Sequence, residues 1–300
     1  MFSLRTLSIL SALITISITS FCFADETGKS GINWNDGFIE ATGQGTAKAS
    51  GNKGKDRINS KRAAEVAAQR ALLETIKGLH ITSMTTVEDS MLKEDIIKTK
   101  VDGVIKGAHV IADKFEWEGN SPVSTVVMRI CLNGSLLCKG PTLVNALDLE
   151  KKVEPAFVPQ KMLIATPVTI PPAPPTPKTY KYDLNKPVTG VVFAIDGRNF
   201  ERSLLPVVVT QSNAELLTVY SAKVVKPSVI RTFGAIRYAD SVENAMKNPQ
   251  LGDNVMVLPA VDITKENMIV IDTRDAATLK ETLAHGNDYL AEAKVVISVK

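Results

Sequence analysis

The sequence predicts an α+β fold in two small domains joined by a proline-rich spacer, and three observations indicate it. A single long helical pattern occupies residues 57–78, and segments that alternate apolar and polar residues follow it. Residues 141–179 then hold nine of the 15 prolines, which favours an extended and stiff segment. New strand and helix patterns begin near residue 181 and continue to the end of the sequence.

Changes of composition along the chain predict four segments. A signal peptide is expected at residues 1–24, a first domain at 25–140, the spacer at 141–180 and a second domain at 181–300. With 300 residues, of which 44% are hydrophobic and 22% charged, the chain is long enough for each domain to bury its own core.

The helical pattern at residues 57–78 is the longest in the sequence, and one of its faces is smooth. Small residues recur on that face at helical spacing: Ser60, Ala63, Ala64, Ala67, Ala68, Ala71, Thr75 and Gly78. Such a face lets a sheet approach closely, so we expect the core helix of an α+β domain. The alternative interpretation is an exposed face for dimerisation or for membrane contact. Asp56 or Asn59 can cap the start of the helix, and Gly78 is a suitable stop.

The other patterns of the first domain complete the order β-α-β-α-β-β. Residues 37–45 and 79–87 have the composition of strands, residues 88–100 that of a short helix, and residues 104–118 and 121–132 alternate as two long strands. This order predicts one largely antiparallel sheet that is covered by the helices.

The first 24 residues differ from the rest of the chain in the way that a signal peptide does. Arg5 is the only charged residue before Asp25, and residues 7–23 form an apolar and hydroxyl-rich run. Cys22 and Ala24 offer small residues at the −3 and −1 positions of a cleavage site. We therefore expect cleaved export to the periplasm or the outer-membrane periphery, with no transmembrane span in the mature chain.

Two alternatives to cleaved export remain open. Cys22 could carry a lipid, although the large Phe21 stands where bacterial lipoprotein signals place a small residue. The leader could also stay attached and act as a membrane anchor.

An exported chain would keep two cysteines, Cys131 and Cys138, in an oxidising compartment. A two-residue turn at Asn133 and Gly134 would make them diagonal neighbours in a hairpin, roughly 7–8 Å apart. That separation exceeds the limit of about 7 Å between the Cα atoms of an unstrained disulfide. A tight hairpin and a disulfide therefore exclude each other here, and we expect a looser loop closed by a disulfide.

Four segments of the first domain carry a resemblance in their order and spacing. They are residues 39–45 (IEATGQG), the alanine-rich helix at 62–73, residues 76–79 (IKGL), and residues 104–108 (VIKGA) followed by a strand. This arrangement resembles the domain shared by LPP20-type envelope lipoproteins and the N-terminal part of flagellar assembly protein T, over residues 37–132. The resemblance implies a non-enzymatic protein of the bacterial cell envelope, associated with the outer membrane or with a periplasmic assembly around the flagellar basal body.

The second domain has strand and helix patterns with clear ends. Strands are expected at residues 188–195 and 204–210 around a hairpin turn at Asp196-Gly197-Arg198-Asn199, and at 216–220, 255–263, 268–271 and 294–299. Helices are expected after Pro227, after the cap Ser241, and at 276–285 after Asp272 and Asp275. Four residue pairs resemble a C-terminal module that stands beside such domains in uncharacterised envelope proteins: Thr189-Gly190, Tyr238-Ala239, Asn248-Pro249 and Asp275-Ala276. No established activity comes with that resemblance.

The motifs in the sequence favour neither catalysis nor a cofactor or metal site. His80, His109 and His285 lie in separate predicted elements, each without a histidine or cysteine at i+3 or i+4. The pair Gly54-Lys55 is followed by Asp56, where a P-loop requires Ser or Thr to reach magnesium. The negative charge of Asp56 would also repel a phosphate, so the P-loop pattern fails.

Two further pairs of residues have a structural and a functional interpretation. Asp272 and Asp275 are interpreted as helix-capping residues, with a catalytic carboxylate pair as the alternative. Trp34 and Trp117 are interpreted as partly buried anchors, with a ligand platform as the alternative.

These observations favour a structural or assembly module of the bacterial envelope that is not an enzyme. The expected partners are other envelope proteins, with self-association and a flagellar role as options. Nucleic acid is not an expected partner, because 35 basic residues nearly balance 32 acidic ones and aromatic residues make up only 5%. One alternative is a periplasmic binding protein for a small ligand or an envelope polymer, which requires a pocket with convergent polar groups. A hydrolase would require a strongly perturbed carboxylate or histidine in a cleft.

Overall fold

The computed structural model of the protein describes residues 30–134, 138, 140–152, 182–183, 185–212, 215–284 and 288–299. Three sequence predictions lie outside them: the signal peptide with Cys22 and Ala24, the proline-rich run after residue 152, and His285. The fold of the described residues is α+β, as predicted. A largely antiparallel sheet forms the N-terminal half, and a separate sheet forms the C-terminal half.

The N-terminal half is built on a four-stranded sheet. Its elements are β1 (Ser30–Asn33), β2 (Phe38–Thr46), α1 (Lys53–Lys77), β3 (His80–Thr82), β4 (Thr85–Thr86), α2 (Val87–Lys93), α3 (Asp95–Lys106), β5 (His109–Glu118), β6 (Ser121–Cys131), α4 (Leu143–Ala146) and α5 (Leu149–Lys152). The strand order is β1-β2-β6-β5, and each neighbouring pair is antiparallel. The short strands β3 and β4 pair with each other in a separate ribbon.

Helix α1 packs its small residues against the sheet, as the core-helix interpretation predicts. Ser60, Ala64 and Ala68 are fully buried. The facing strand β2 carries glycines: a Cβ on Gly43 would stand 2.2 Å from the Ala64 carbonyl oxygen, and one on Gly45 would stand 2.1 Å from the Ala64 nitrogen. The backbones of helix and strand are therefore in direct contact, and a side chain at either glycine would force them apart.

Helix α1 begins one turn earlier than predicted. Its N-cap is Asn52, whose Oδ1 accepts hydrogen bonds from the N–H groups of Gly54 and Lys55, both at 3.1 Å. Asp56, predicted as a cap, is instead buried inside the first turn. Its Oδ1 accepts from the Ser50 N–H at 2.9 Å and so ties the preceding loop to the helix.

The strand predicted at residues 79–87 is replaced by the β3-β4 ribbon and the start of α2. A capping box starts this helix: the Asp89 N–H donates to Thr86 Oγ1 at 3.1 Å, and the Thr86 N–H donates to Asp89 Oδ2 at 2.8 Å. This reciprocal pair satisfies two backbone donors locally, which favours helix over a continued strand.

Helix α3 occupies the beginning of the strand that was predicted at residues 104–118. Ile97, Val101 and Val104 are buried and recur at helical spacing, so they form one inward face of the helix. The strand itself begins only at His109.

The C-terminal half is built on a seven-stranded mixed sheet. Its elements are β7 (Gly190–Ala194), β8 (Val208–Ser212), β9 (Glu215–Tyr220), a turn of 3-10 helix (Ala222–Val224), α6 (Pro227–Phe233), β10 (Arg237–Ala239), α7 (Val242–Met246), β11 (Val255–Ile263), β12 (Ile269–Ile271), α8 (Thr273–Ala284) and β13 (Val295–Ser298). The strand order is β10-β13-β7-β11-β12-β8-β9. The pairs β11-β12 and β8-β9 are antiparallel, and the other neighbouring pairs are parallel.

The prediction of a hairpin turn at residues 196–199 is wrong. Asp196 and Gly197 do turn the chain, with φ angles of 51° and 73°, but β7 pairs with β11 and β13 and not with β8. After the turn the chain crosses to the N-terminal half, where the Leu204 N–H donates to the His80 carbonyl at 2.9 Å. A local turn signal specifies a bend, but it does not specify which strand pairs afterwards.

Residues 141–152, which the sequence assigned to the spacer, form α4 and α5. Leu143, Leu147 and Leu149 are fully buried there. They belong to an apolar cluster that contains residues of both halves, including Leu72 of α1 and Phe193 of β7. One large core therefore joins the two sheets in the described part of the chain.

Cys131 and Cys138 form the predicted disulfide, and their Cα atoms are 5.5 Å apart. The predicted looser loop falls partly on residues 135–137, which lie outside the described residues. Cys131, at the end of β6, is also bridged to Thr142. Phe38 packs against both cysteines in a small buried cluster. Close to the disulfide, Gly134 contacts the other half of the chain, since its N–H donates to the Thr232 carbonyl at 2.8 Å.

Candidate functional site

A groove lies where the N-terminal sheet meets the C-terminal half, and we call it the junction groove. Helix α1 packs on one face of the sheet, and the opposite face presents Phe38, Glu40 and Thr42 of β2 to the groove. Arg202 and Asp240 of the C-terminal half form the other side of the groove. The space between them has a volume of about 570 Å³.

The sheet side of the groove carries a fixed charge pair. Arg129 of β6 lies directly opposite Glu40 in the strand register. Its Nε donates to Glu40 Oε1 at 2.7 Å, and its Nη2 donates to the same oxygen. The Arg129 guanidinium also lies 3.9 Å from the centre of the Phe38 ring. Pairing and stacking together hold this cation in one orientation.

The opposite side of the groove carries a second pair, and its carboxylate also contacts the N-terminal half. Arg202 Nη2 lies 3.2 Å from Asp240 Oδ1. Asn35, in the loop after β1, donates from Nδ2 to Asp240 Oδ2 at 3.1 Å. The Asp240 carboxylate therefore holds a residue from each half of the chain.

Trp34 is an anchor between the halves, and it also lines the junction groove. Its ring centre lies 5.1 Å from that of Tyr238, and the rings meet edge to face at 73°. The Tyr238 hydroxyl donates to the Ser203 carbonyl at 2.7 Å and accepts from the Ser203 N–H at 3.0 Å. Burial raises the pKa of Tyr238 well above its ordinary value, so the ring remains a neutral and fixed contact for Trp34.

A second cavity of about 410 Å³ adjoins the junction groove at Asn35, and we call it the Arg237 pocket. Strand β10 contributes Arg237, and the α7 region contributes most of the other side chains. Its lining includes the polar side chains of Asn35, Asp36, Arg237, Asn244, Lys247, Asn248 and Gln250.

Arg237 is the electrostatically unusual group of this pocket. Arg237 is only 8% exposed. Among the described residues, its Nη1 and Nη2 have no hydrogen-bond acceptor. The guanidinium lies 5.6 Å from the centre of the Phe233 ring. Burial lowers the pKa of Arg237 to about 10, and only the neighbouring Tyr220 opposes that shift.

Of the two carboxylates singled out in the sequence, Asp272 takes the helix-capping position, and Asp275 lies in the first turn of α8. Asp272 Oδ1 accepts from the Arg274 N–H at 2.8 Å at the start of α8. Hydrogen bonds from the Arg274 side chain and backbone hold the pKa of Asp272 below its ordinary value. Burial and the nearby Asp272 charge raise the pKa of Asp275. This geometry agrees with the capping interpretation.

The histidines that the structure describes are apart from each other. His80 Nε2 lies 3.0 Å from Glu201 Oε1 at the contact between the halves, and His109 begins the edge strand β5. Over the described ranges, no group of three or more His, Cys, Asp or Glu side chains is placed to hold a metal ion. Trp117, the other tryptophan of the anchor interpretation, packs against Phe115 with ring centres 6.0 Å apart.

The residues of the groove and the pocket were missed by the sequence analysis. Asn35, Arg202, Arg237 and Asp240 are far apart in the chain, and only the contact between the two halves brings them together. Arg237 carried one usable signal, since it is a charged residue at the start of a short strand that is otherwise apolar or aromatic.

None of the helices in the described part of the chain is long and apolar enough to cross a membrane.

The C-terminal half is similar to a known domain. Residues 190–300 match the model of a family described as Treponema pallidum Tp0624, second domain. The matched region begins at the first residue of β7 and includes Arg202, Arg237 and Asp240. A comparison of the chain with curated proteins finds no match.

Proposed function

We propose that this chain is an exported, non-enzymatic protein of the bacterial cell envelope with a structural or assembly role. The apolar leader at residues 1–24 supports export, and the Cys131–Cys138 disulfide suits an oxidising compartment. The order and spacing that resemble LPP20-type lipoproteins and flagellar assembly protein T support an envelope location.

The observation that carries the structural role is the firm joint between the two halves. The N–H groups of Leu204 and Leu205 donate to the carbonyls of His80 and Ile81 at 2.9 and 2.8 Å. A common apolar core lies beneath these bonds. Two halves joined in this way hold their outer surfaces at a fixed distance and angle to each other. A component of an assembly needs such a fixed arrangement.

The charges of the junction groove also fit recognition better than catalysis. Glu40 is paired with Arg129, and Asp240 is paired with Arg202. Each carboxylate is thereby engaged by a guanidinium of its own half. These pairs are suited to orienting a partner, and Asp240 also accepts a hydrogen bond from Asn35 of the other half.

A second candidate function is a periplasmic binding protein for a small ligand or an envelope polymer. The junction groove favours it, because Trp34, Glu40 and Arg202 converge on one open space of about 570 Å³. An aromatic surface beside fixed charges is a common arrangement for polar ligands.

The assembly role is tested by size-exclusion chromatography with light scattering on the mature chain, together with crosslinking in intact cells. We expect either a defined oligomer or a crosslinked product with a specific envelope protein. A strictly monomeric chain that yields no crosslinked product in its native cells would contradict the assembly role. Retention of a peptidoglycan or saccharide fragment by such a monomer would favour the binding-protein alternative.

A further inference from the structure

Arg237 carries a buried positive charge whose pairing is incomplete. It lies at the start of the edge strand β10, and the residue is only 8% exposed. Among the described residues, neither Nη1 nor Nη2 has an acceptor. Buried cations are normally paired with a carboxylate or with several carbonyl groups, because loss of hydration is otherwise uncompensated.

The groups around the guanidinium do not neutralise it. The Phe233 ring lies 5.6 Å away, and the Tyr220 hydroxyl is engaged as a donor to the Ala235 carbonyl. Burial raises the pKa of Tyr220 far above its ordinary value, so that hydroxyl remains neutral. Within the part of the chain that the structure describes, the pKa of Arg237 is not raised by any carboxylate.

The pocket beside Arg237 is otherwise suited to a negative ligand. Lys247 adds a second cation to its lining, and the side-chain amides of Asn244, Asn248 and Gln250 can donate hydrogen bonds. Asp36 is a carboxylate in this lining, and Asn33 Nδ2 donates to its Oδ2 at 2.8 Å. The two cations Arg237 and Lys247 outnumber this single carboxylate among the lining residues.

We propose that the Arg237 pocket binds a small ligand through an oxyanion, a carboxylate or a phosphate, with Arg237 as its principal charged partner. Two free nitrogens on one planar group match two oxygens of such an anion. Protein atoms cover both nitrogens, so binding requires a rotamer change that turns them toward the cavity. This site goes beyond the proposed assembly role and does not depend on it.

The test is calorimetric titration of the full chain with two probes, inorganic phosphate and N-acetyl-alanyl-alanine with a free carboxylate. We expect at least one probe to bind, and the same peptide with an amidated C-terminus not to bind. Binding of phosphate alone or of the peptide alone identifies the source of the anion. Failure of both probes to bind at about 10 mM would overturn the proposal.

Variants then assign the binding to this pocket. Arg237→Met should weaken binding by at least tenfold or so, because a charge-assisted contact is lost. The same variant should melt at a higher temperature than wild type, because an apolar side chain of similar length replaces an unpaired buried charge. Arg62→Met is the matched control: it removes an exposed arginine of α1 that lines neither cavity and should leave the affinity unchanged.

Two outcomes would count against the assignment. Equal affinity in wild type and in Arg237→Met would place the anion elsewhere and overturn the proposal. If Arg237→Met does not fold, Lys247→Gln provides the second test, since loss of one lining cation should weaken binding roughly threefold. An unchanged affinity in Lys247→Gln would then overturn it.

Discussion

Gly43 of β2 and Ala68 of α1 are in backbone contact: a Cβ on Gly43 would stand 2.3 Å from the Ala68 nitrogen. Real Cβ atoms do not approach another heavy atom so closely, so the helix and the strand depend on this glycine. The small face of α1 and the glycines of β2 are thus two parts of one packing arrangement.

Gly43→Ala should therefore destabilise the protein by about 1–3 kcal/mol, because the helix must move away from the sheet. Urea denaturation measures the change in the free energy of unfolding. Gly31→Ala is the matched control, since a Cβ at Gly31 in β1 meets nothing within 4 Å. The control should change stability by less than about 0.5 kcal/mol. Equal effects of the two substitutions would show that the contact is not tight.

Reduction of the Cys131–Cys138 disulfide should lower the free energy of unfolding by about 2–3 kcal/mol. The disulfide joins residues that are 7 positions apart in the sequence. Because it lowers the conformational entropy of the unfolded chain, a loop of this length predicts a stabilisation of about 2.5 kcal/mol. Denaturation with and without dithiothreitol gives the measurement. The double variant Cys131→Ala/Cys138→Ala is the control and should not respond to the reductant. Wild-type stability that is also insensitive to reductant would contradict a stabilising disulfide.

Asp148 should make stability depend on pH in the acid range. Burial alone would raise the pKa of Asp148, but hydrogen bonds from Lys100 and Lys151 outweigh it and leave the pKa below its ordinary value of 3.8. The Lys100 Nζ lies 2.6 and 2.7 Å from the two carboxylate oxygens. A carboxyl whose pKa is lowered by folding stabilises the protein above its unfolded-state pKa, and this contribution is lost as the pH falls through the folded-state pKa.

Between about pH 5 and about pH 2, wild type should therefore lose roughly 1 kcal/mol more stability than Asp148→Asn. Denaturation curves across that range measure the difference. Asp148 has a φ of 47°, and asparagine tolerates such left-handed backbone as well as aspartate does. Asp196→Asn is the control, because Asp196 is exposed and has a φ of 51°. It measures the effect of replacing a carboxylate by an amide at left-handed backbone. Parallel pH profiles for wild type and Asp148→Asn would refute the role of this carboxylate.

Trp34→Ala should destabilise the contact between the halves by about 2 kcal/mol, because it removes a partly buried ring from Tyr238. Trp117→Ala is the control, since Trp117 lies on the edge strand β5 and is 39% exposed. It should cost less than about 1 kcal/mol. Thermal denaturation compares the two variants. A larger loss for Trp117→Ala would mean that Trp34 is not the anchor.

Elements with a complete local signal were predictable from the sequence. Pro227 at the first position of α6 and Gly234 after its end gave the bounds of that helix. Ser241 caps α7 as expected, with its hydroxyl accepting from the Asn244 N–H. Ser241 satisfies a backbone donor of α7 itself, and Pro227 of α6 has no N–H that needs a partner, so both starts are specified locally.

Elements that depend on distant partners were not predictable. The partner of β7 is set by β11 and β13, which lie far along the chain, and the turn at Asp196 has no influence on that choice. The same holds for the site, because Asn35 and Asp240 meet only after the two halves pack together. The charge of Arg237 was visible in the sequence, whereas its unpaired state depends on the fold.

The thiol state of Cys131 and Cys138 in fractionated cells is the most direct test of an exported envelope protein. Cells are treated with an alkylating reagent before lysis, and the two cysteines are then examined by mass spectrometry in each fraction. We predict that the protein is found in the periplasmic or outer-membrane fraction and that both thiols react only after reduction. Recovery in the cytoplasmic fraction with both thiols free would contradict the account.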